Sequence, residues 1–200
     1  VIERLPRWAF ALVIVGVGFV VLVLAVLIFT PQPKGIRHQL QCMDNQGQLA
    51  QTYLDASQHR PGWKPRSGPP LWLEGYGTSI KRGEEKAFVC PADPLAELPE
   101  TDADRARYEL VDLAHVPRSL CSYAGRDFER FPIDAAKAAK EPLGACVHHA
   151  HYAIVVFADG AARKMTLDEL GLASDDDKVV GPDSKSPVLR VLRYGDGSVR

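Results

Sequence analysis

The chain has 200 residues, 46% of them hydrophobic, with 24 Lys and Arg against 25 Asp and Glu, so its formal net charge is -1. A near-neutral chain in which no basic cluster exceeds a few residues lacks the concentrated positive face that phosphate backbones require, which excludes nucleic acid as the expected partner. The length suits one modest core and excludes a second full domain once the apolar N-terminal region is set aside.

After a short flank at 1–7, Trp8–Phe29 is an unbroken apolar stretch with no charge and no side-chain amide. At about 1.5 Å per residue it covers roughly 30 Å as a helix, which predicts an uncleaved transmembrane segment anchored in the lipid bilayer through residues 8–29. A signal peptide would show an apolar core of only about 7–15 residues followed by small residues at a cleavage site, whereas Ile28-Phe29-Thr30-Pro31 follows here. Arg4 and Arg7 on one side and Lys34 and Arg37 on the other leave the charge bias across the span nearly balanced.

Thr30-Pro31-Gln32-Pro33 breaks the helix. From Gly35 to about Ser57, Ile36, Leu40, Met43, Gly47, Ala50 and Leu54 recur at spacings of three and four, predicting an amphipathic helix laid on a sheet. His59–Pro70 reads as a surface loop. Leu71-Trp72-Leu73, Ala87–Cys90 and Leu120–Tyr123 read as short strands, Asp102–Leu113 as a helix capped by Thr101 or Asp102, and Asp134–Lys140 as a short helix.

The clearest local signal is Ala153–Phe157, Asp159-Gly160 and Ala161–Met165, a β-hairpin with Asp159 and Gly160 at the centre of a type I′ turn. Thr166-Leu167-Asp168-Glu169 is a capping box for a short helix ended by Gly171. The acidic segment 174–187 reads as a mobile, solvated linker, and 188–200, with Asp196-Gly197, as a second hairpin.

The cysteines Cys42, Cys90, Cys121 and Cys146 are widely spaced and form no Cys-x-x-Cys pair. They predict disulfides in an oxidising compartment, with Cys42–Cys90 and Cys121–Cys146 the favoured pairing, against the alternative of four reduced buried thiols. Together with the apolar span, this places the following domain outside the cytoplasm, on a single-pass protein of a cytoplasmic membrane.

No catalytic constellation is legible. Ser119 and Ser122 flank Cys121 without a Gly-x-Ser-x-Gly elbow. His149 and His151, two apart on a strand, would face the same way and chelate zinc or copper with Asp159 or Cys146. Asp175, Asp176, Asp177 and Asp183 offer oxygen ligands for calcium, although a solvated acidic linker accounts for them better. Trp63, Trp72, Tyr76 and Tyr123 either line a carbohydrate or peptide surface or fill the core.

Three collinear stretches resemble a known family. Gln41-Cys42 with Asn45 and then Gln48-Leu49 is followed by Gly62-Trp63; Cys90-Pro91-Ala92-Asp93-Pro94 is followed by Ser122-Tyr123; and His149 stands nine residues before Asp159-Gly160, preceded by Phe157-Ala158. These are similar to elements of bacterial prepilin-like proteins related to type II secretion pseudopilins, of the planctomycete kind with a C-terminal His-x9-Asp-Gly motif. The chain lacks the Gly-Phe-Thr-Leu-Ile-Glu processing site of pilin subunits. The resemblance implies an α+β, pilin-like head over 30–173, and a structural or interaction role in an envelope or filament assembly with other such subunits or with itself as partners. It gives Cys42, Asn45, Cys90, Pro91, Asp93, Cys121, Cys146, His149, Asp159 and Gly160 structural roles. The other function classes are a tethered ligand-binding module and a histidine-site metalloenzyme.

Overall fold

A computed structural model describes residues 16–22 and 33–195. Residues 16–22 are helical (α1), with exposed side chains. No helix among the described residues is long and apolar enough to cross a membrane. That finding overturns the expected Trp8–Phe29 span and the single-pass inner-membrane placement drawn from it. The rest of that stretch and the flank 1–7 lie outside the described residues.

The unit beginning at Arg37 is built on α2 (Lys34–His59) and one antiparallel five-stranded sheet. Its strands are β1 (Ala124–Arg126), β2 (Pro142–Cys146), β3 (Tyr152–Phe157), β4 (Ala162–Thr166) and β5 (Leu192–Arg193), in the order β4-β3-β2-β1-β5. The α+β head is therefore present, with the helix on the sheet as expected. Its buried stripe is shifted from the expected one, however. Cys42, Asn45, Gln46, Leu49, Ala50, Thr52 and Ala56 face inward, while Ile36 and Leu40 are exposed. Polar side chains that find partners inside, Asn45 and Gln46, lie on this face, and a purely apolar count misses them.

Both faces of the sheet are covered. In β3, Ile154 and Val156 join the cluster that includes Leu49, Trp72 and Tyr123, whereas Ala153, Val155 and Phe157 join Leu170, Leu172, Val180, Leu189 and Leu192 on the other side. The segment read as a mobile linker contributes Val180 to this second cover. Its acidic residues face outward, but Val180, Ser184 and Ser186 are buried, and they pack it down. A register shift between Pro142 and Gly144 breaks the alternation of β2, so that Leu143 joins the same cluster as Cys146 despite their odd spacing.

The 153–165 hairpin forms with Val155 opposite Arg163. Its turn is not type I′, since Gly160 alone takes positive φ (86°) and Asp159 does not. Instead, the Gly160 N–H donates to Phe157 O and Phe157 N–H to Ala161 O, while the Asp159 carboxylate accepts from Ala161 N–H at 3.0 Å. A single left-handed glycine closing a three-residue connection is the next commonest hairpin solution. The expected second hairpin is replaced by β5, which pairs with β1 through Gly125–Arg193 and Arg126–Leu192; residues 196–200 lie outside the described residues.

Other short elements differ as well. Leu71-Trp72-Leu73 belongs to a helical turn, α3 (Pro70–Leu73), which Pro70 at its start favours. Glu85–Phe88 is 3-10 helix, and the strand expected at Leu120–Tyr123 begins instead at Ala124. Helix α4 (Asp102–Glu109) carries a full capping box from Thr101 and Asp104 and stops before the expected Leu113. Residues Ala135–Lys140 form 3-10 turns capped by Asp134. The short α-helix α5 (Leu167–Leu170) has its Thr166–Glu169 box and ends at Gly171 in the left-handed region, as expected.

Candidate metal centre

Three elements bring Cys42, Cys90, Cys146 and His149 together. Their ligand atoms, three sulfurs and one imidazole nitrogen, all lie within 4.8 Å of one another, and all four residues are buried. Cys42 comes from the inward stripe of α2, one turn before Gln46. The Gln46 amide reaches back to Cys42 Sγ at 3.6 Å and also donates to Ile154 O at 3.2 Å, tying helix to sheet beside the sulfur.

Cys90 is positioned by Asn45. The Asn45 amide nitrogen donates to Lys86 O at 2.8 Å and Val89 O at 3.0 Å, so the segment leading into Cys90 is fastened to the same helix that carries Cys42. Tyr123 Oη donates to Val89 O at 3.0 Å from the sheet side. After Cys90, Pro91 turns the chain and the backbone N–H of Ala92 points at Cys90 Sγ, 3.4 Å away. An N–H aimed at the sulfur of a residue two before it offers partial positive charge to a thiolate.

Cys146 closes β2, opposite Ile154 of β3. His149 sits in the turn that follows, with Nε2 3.5 Å from Cys90 Sγ and Nδ1 3.1 Å from Tyr152 Oη. Its backbone carbonyl accepts from the Lys178 ammonium, itself paired with Asp175 at 2.7 Å. His149 and His151 do not share a strand face, which corrects the chelating pair expected from their spacing. His151 has a φ of 65° and turns outward, its side chain 85% exposed and 3.0 Å from Asp175. Asp159 is likewise outside the cluster, its carboxylate 3.6 Å from Arg163.

All four cysteines are free, so the Cys42–Cys90 and Cys121–Cys146 disulfides are not formed. Cys146 instead faces both Cys42 and Cys90, and Cys121 stands apart with its thiol directed at Tyr123 O. Burial pushes the Cys42 and Cys146 thiols up and Cys121 to about 12. Cys90 is driven the other way. The thiols of Cys146 and then Cys42 donate to it against the opposing effect of burial, with His149 and the Ala92 N–H adding to the shift.

Buried polar side chains lie beside the group. Asp93, the acid of the Cys90-Pro91-Ala92-Asp93 element, has a fully buried carboxylate 3.2 Å from His148 Nε2. His148 donates from Nε2 to Ser122 O at 3.0 Å and accepts at Nδ1 from Arg118 at 3.0 Å, and burial depresses its pKa against the pull of Asp93. The motif residues Cys42, Asn45, Cys90, Pro91, Asp93, Cys146 and His149 thus converge on one interior site, while Cys121, Asp159 and Gly160 have other local roles. Gln46, His148 and Tyr152 were missed as site residues. Cys146-Val147-His148-His149 does carry a legible signal, because a cysteine and a histidine three apart is a metal-ligand spacing.

Chemically, the group can bind a soft divalent cation through sulfur and nitrogen, or lose two electrons to form one disulfide. Its burial makes it a poor external nucleophile. The four acids suggested for calcium are not gathered: Asp175 binds Lys178 and His151, and Asp177 binds Lys185 at 2.7 Å. No family model, curated protein or solved structure matches the chain.

Proposed function

We propose that this chain is a pilin-like structural or interaction subunit of a bacterial envelope or filament assembly, which works through its surface and not by catalysis. The observation that carries this reading is the packing of α2. A long helix lies along an antiparallel sheet by one polar-and-apolar stripe, while Leu40, 56% exposed, remains on its outer side. The reactive side chains face inward, and the elements behind the resemblance, around Cys42, Cys90 and His149, are spent on internal contacts. That is how residues of a scaffold are used.

The test is a photoreactive amino acid at Leu40 of the full chain, expressed in its native cells. Adducts with a second copy or with another pilin-like subunit are expected. If Leu40 and several other exposed positions gave neither adduct at normal expression, the reading would be wrong.

A ligand-binding module is the second reading, favoured by one groove of about 770 Å³ lined by Tyr53, Phe128, Ile133, Lys64, Arg66 and Arg193. Aromatic walls with cationic rims suit an amphipathic anion. Saturable binding by the isolated protein, abolished by Tyr53→Ala and Arg66→Ala, would favour it over an assembly role.

A further inference from the structure

We propose that Cys42, Cys90, Cys146 and His149 form a closed, four-ligand zinc site that fastens α2 to the β2–β3 end of the sheet. The donor set is the first reason. Three thiolates and one imidazole are a combination that structural zinc sites use, and soft sulfur donors select against magnesium and calcium. Spacing is the second. Bonds of about 2.3 Å to sulfur and 2.0–2.1 Å to nitrogen around a tetrahedron put ligand atoms about 3.5–3.8 Å apart. Cys90 Sγ and His149 Nε2 already stand at 3.5 Å, and the whole group lies within 4.8 Å, so small side-chain rotations close it around an ion.

The surroundings are also those a zinc site needs. Metal-bound histidines have their second nitrogen held by a hydrogen-bonding partner, and Tyr152 Oη occupies that place at His149 Nδ1. Sulfur-directed N–H groups come from Ala92 and Gln46. Binding replaces the thiol protons of the cluster with zinc and releases them to solvent, leaving a net charge of -1 on the three thiolates, one imidazole and one Zn2+. The donor hydrogen bonds from Ala92 and Gln46 offset that charge.

A disulfide accounts for the group less well. Any one bond within it leaves an odd thiol buried against His149, and the fourth cysteine, Cys121, is not among the three. The site is closed because all four ligands come from the protein, so zinc here serves folding and helix docking.

The inference is independent of the assembly role, since a zinc-stabilised head is compatible with either reading of its surface. The test uses the full chain purified without chelators from zinc-supplemented cells, with metal content measured by elemental analysis and thiols counted after denaturation. One zinc per chain and four reduced thiols are expected. Cobalt substitution should give the intense visible bands of tetrahedral thiolate coordination. Cys90→Ser and His149→Ala should weaken zinc binding at least about 100-fold, while Cys121→Ser keeps one zinc. Should either site variant fail to fold, the metal content and the cobalt spectrum of the native sequence still decide the question. Absence of zinc from the folded chain even after incubation with excess ion would overturn the proposal. So would a disulfide among the three cysteines, stoichiometric copper or iron in place of zinc, or equal zinc retention by Cys90→Ser and His149→Ala.

Discussion

Tyr152 Oη lies 3.1 Å from His149 Nδ1, and the two rings stack with centroids 4.9 Å apart. This pair aims Nε2 of His149 at Cys90. When Nε2 binds a metal, Nδ1 carries the proton and donates it to the phenol oxygen. Tyr152→Phe keeps the stack and removes only that acceptor. Zinc affinity should fall about 10–100-fold with the fold intact, as read by competition with a chromogenic chelator. An unchanged affinity would show that the phenol does not orient the ligand.

Asn45 is the joint between α2 and the segment that delivers Cys90. Its amide donates to Lys86 O and Val89 O, each of which keeps a second donor, Val89 N–H for Lys86 O and Tyr123 for Val89 O. Asn45→Ala should destabilise the head by about 0.5–1.5 kcal/mol, the worth of the lost hydrogen bonds when each carbonyl keeps one donor. Asn45→Asp should cost more, because a carboxylate cannot donate to either. Urea unfolding of the three proteins checks the order, and an aspartate variant as stable as the native chain would remove the assigned role.

Gly144 sits where β2 passes under Trp72. A Cβ there would stand 2.2 Å from Trp72 Cζ2 and 2.7 Å from Ala124 O. The carbonyl is held in the sheet and the indole in the core, so neither yields cheaply. Gly144→Ala should therefore lower stability by about 1–3 kcal/mol or more. Trp72→Phe, which lacks the encroaching ring, should recover part of this, so the double variant loses less than the sum of the single ones. Strict additivity in thermal or urea unfolding would mean that the carbonyl and not the indole sets the limit.

What the sequence made legible was local. The hairpin around Asp159-Gly160, the helix cap at Thr101, the capping box at Thr166 and the helix stop at Gly171 depend on residues within a few positions of one another, and each formed. The site depends on separations that no local pattern reports. Cys42 meets Cys90 because an asparagine three residues along the helix bonds a carbonyl 44 positions away. Seeking pairs of cysteines suggested disulfides, whereas the fourth partner was a histidine three residues after Cys146. The strand expected at Leu71–Leu73 failed for a related reason: a short apolar run does not distinguish a buried helical turn from a strand, and Pro70 tips it toward the turn. The acidic segment 174–187 reads as a solvated linker because its charges mask the buried Ser184 and Ser186 and Val180, which joins the cluster on the second face of the sheet.

Glu85 gives the head a distinct response to acid. Its side chain is 2% exposed and its Oε1 accepts from Tyr76 Oη at 2.7 Å and Gly83 N–H at 2.8 Å, with Arg105 at 3.9 Å from Oε2. Burial alone would push the carboxyl up, but the Gly83 and Tyr76 hydrogen bonds and the Arg105 charge outweigh it and hold the group below its ordinary 4.5. The same contact, after burial, helps push Tyr76 up to about 12. Because the folded-state value is depressed, the unfolded chain takes up the proton first. The stabilisation is therefore present above the unfolded value and is lost as pH falls through the folded one. Glu85→Gln should cost about 1.5–3 kcal/mol at pH 7, the worth of hydrogen bonds to a charged acceptor. Relative to the native chain, that deficit should shrink steadily as the pH is lowered past 4.5. Urea midpoints collected from pH 7 downward give this difference directly. A deficit that stays constant across the range would mean that Glu85 titrates alike in the folded and unfolded chain, and that its two hydrogen bonds stabilise the acid as well as the carboxylate.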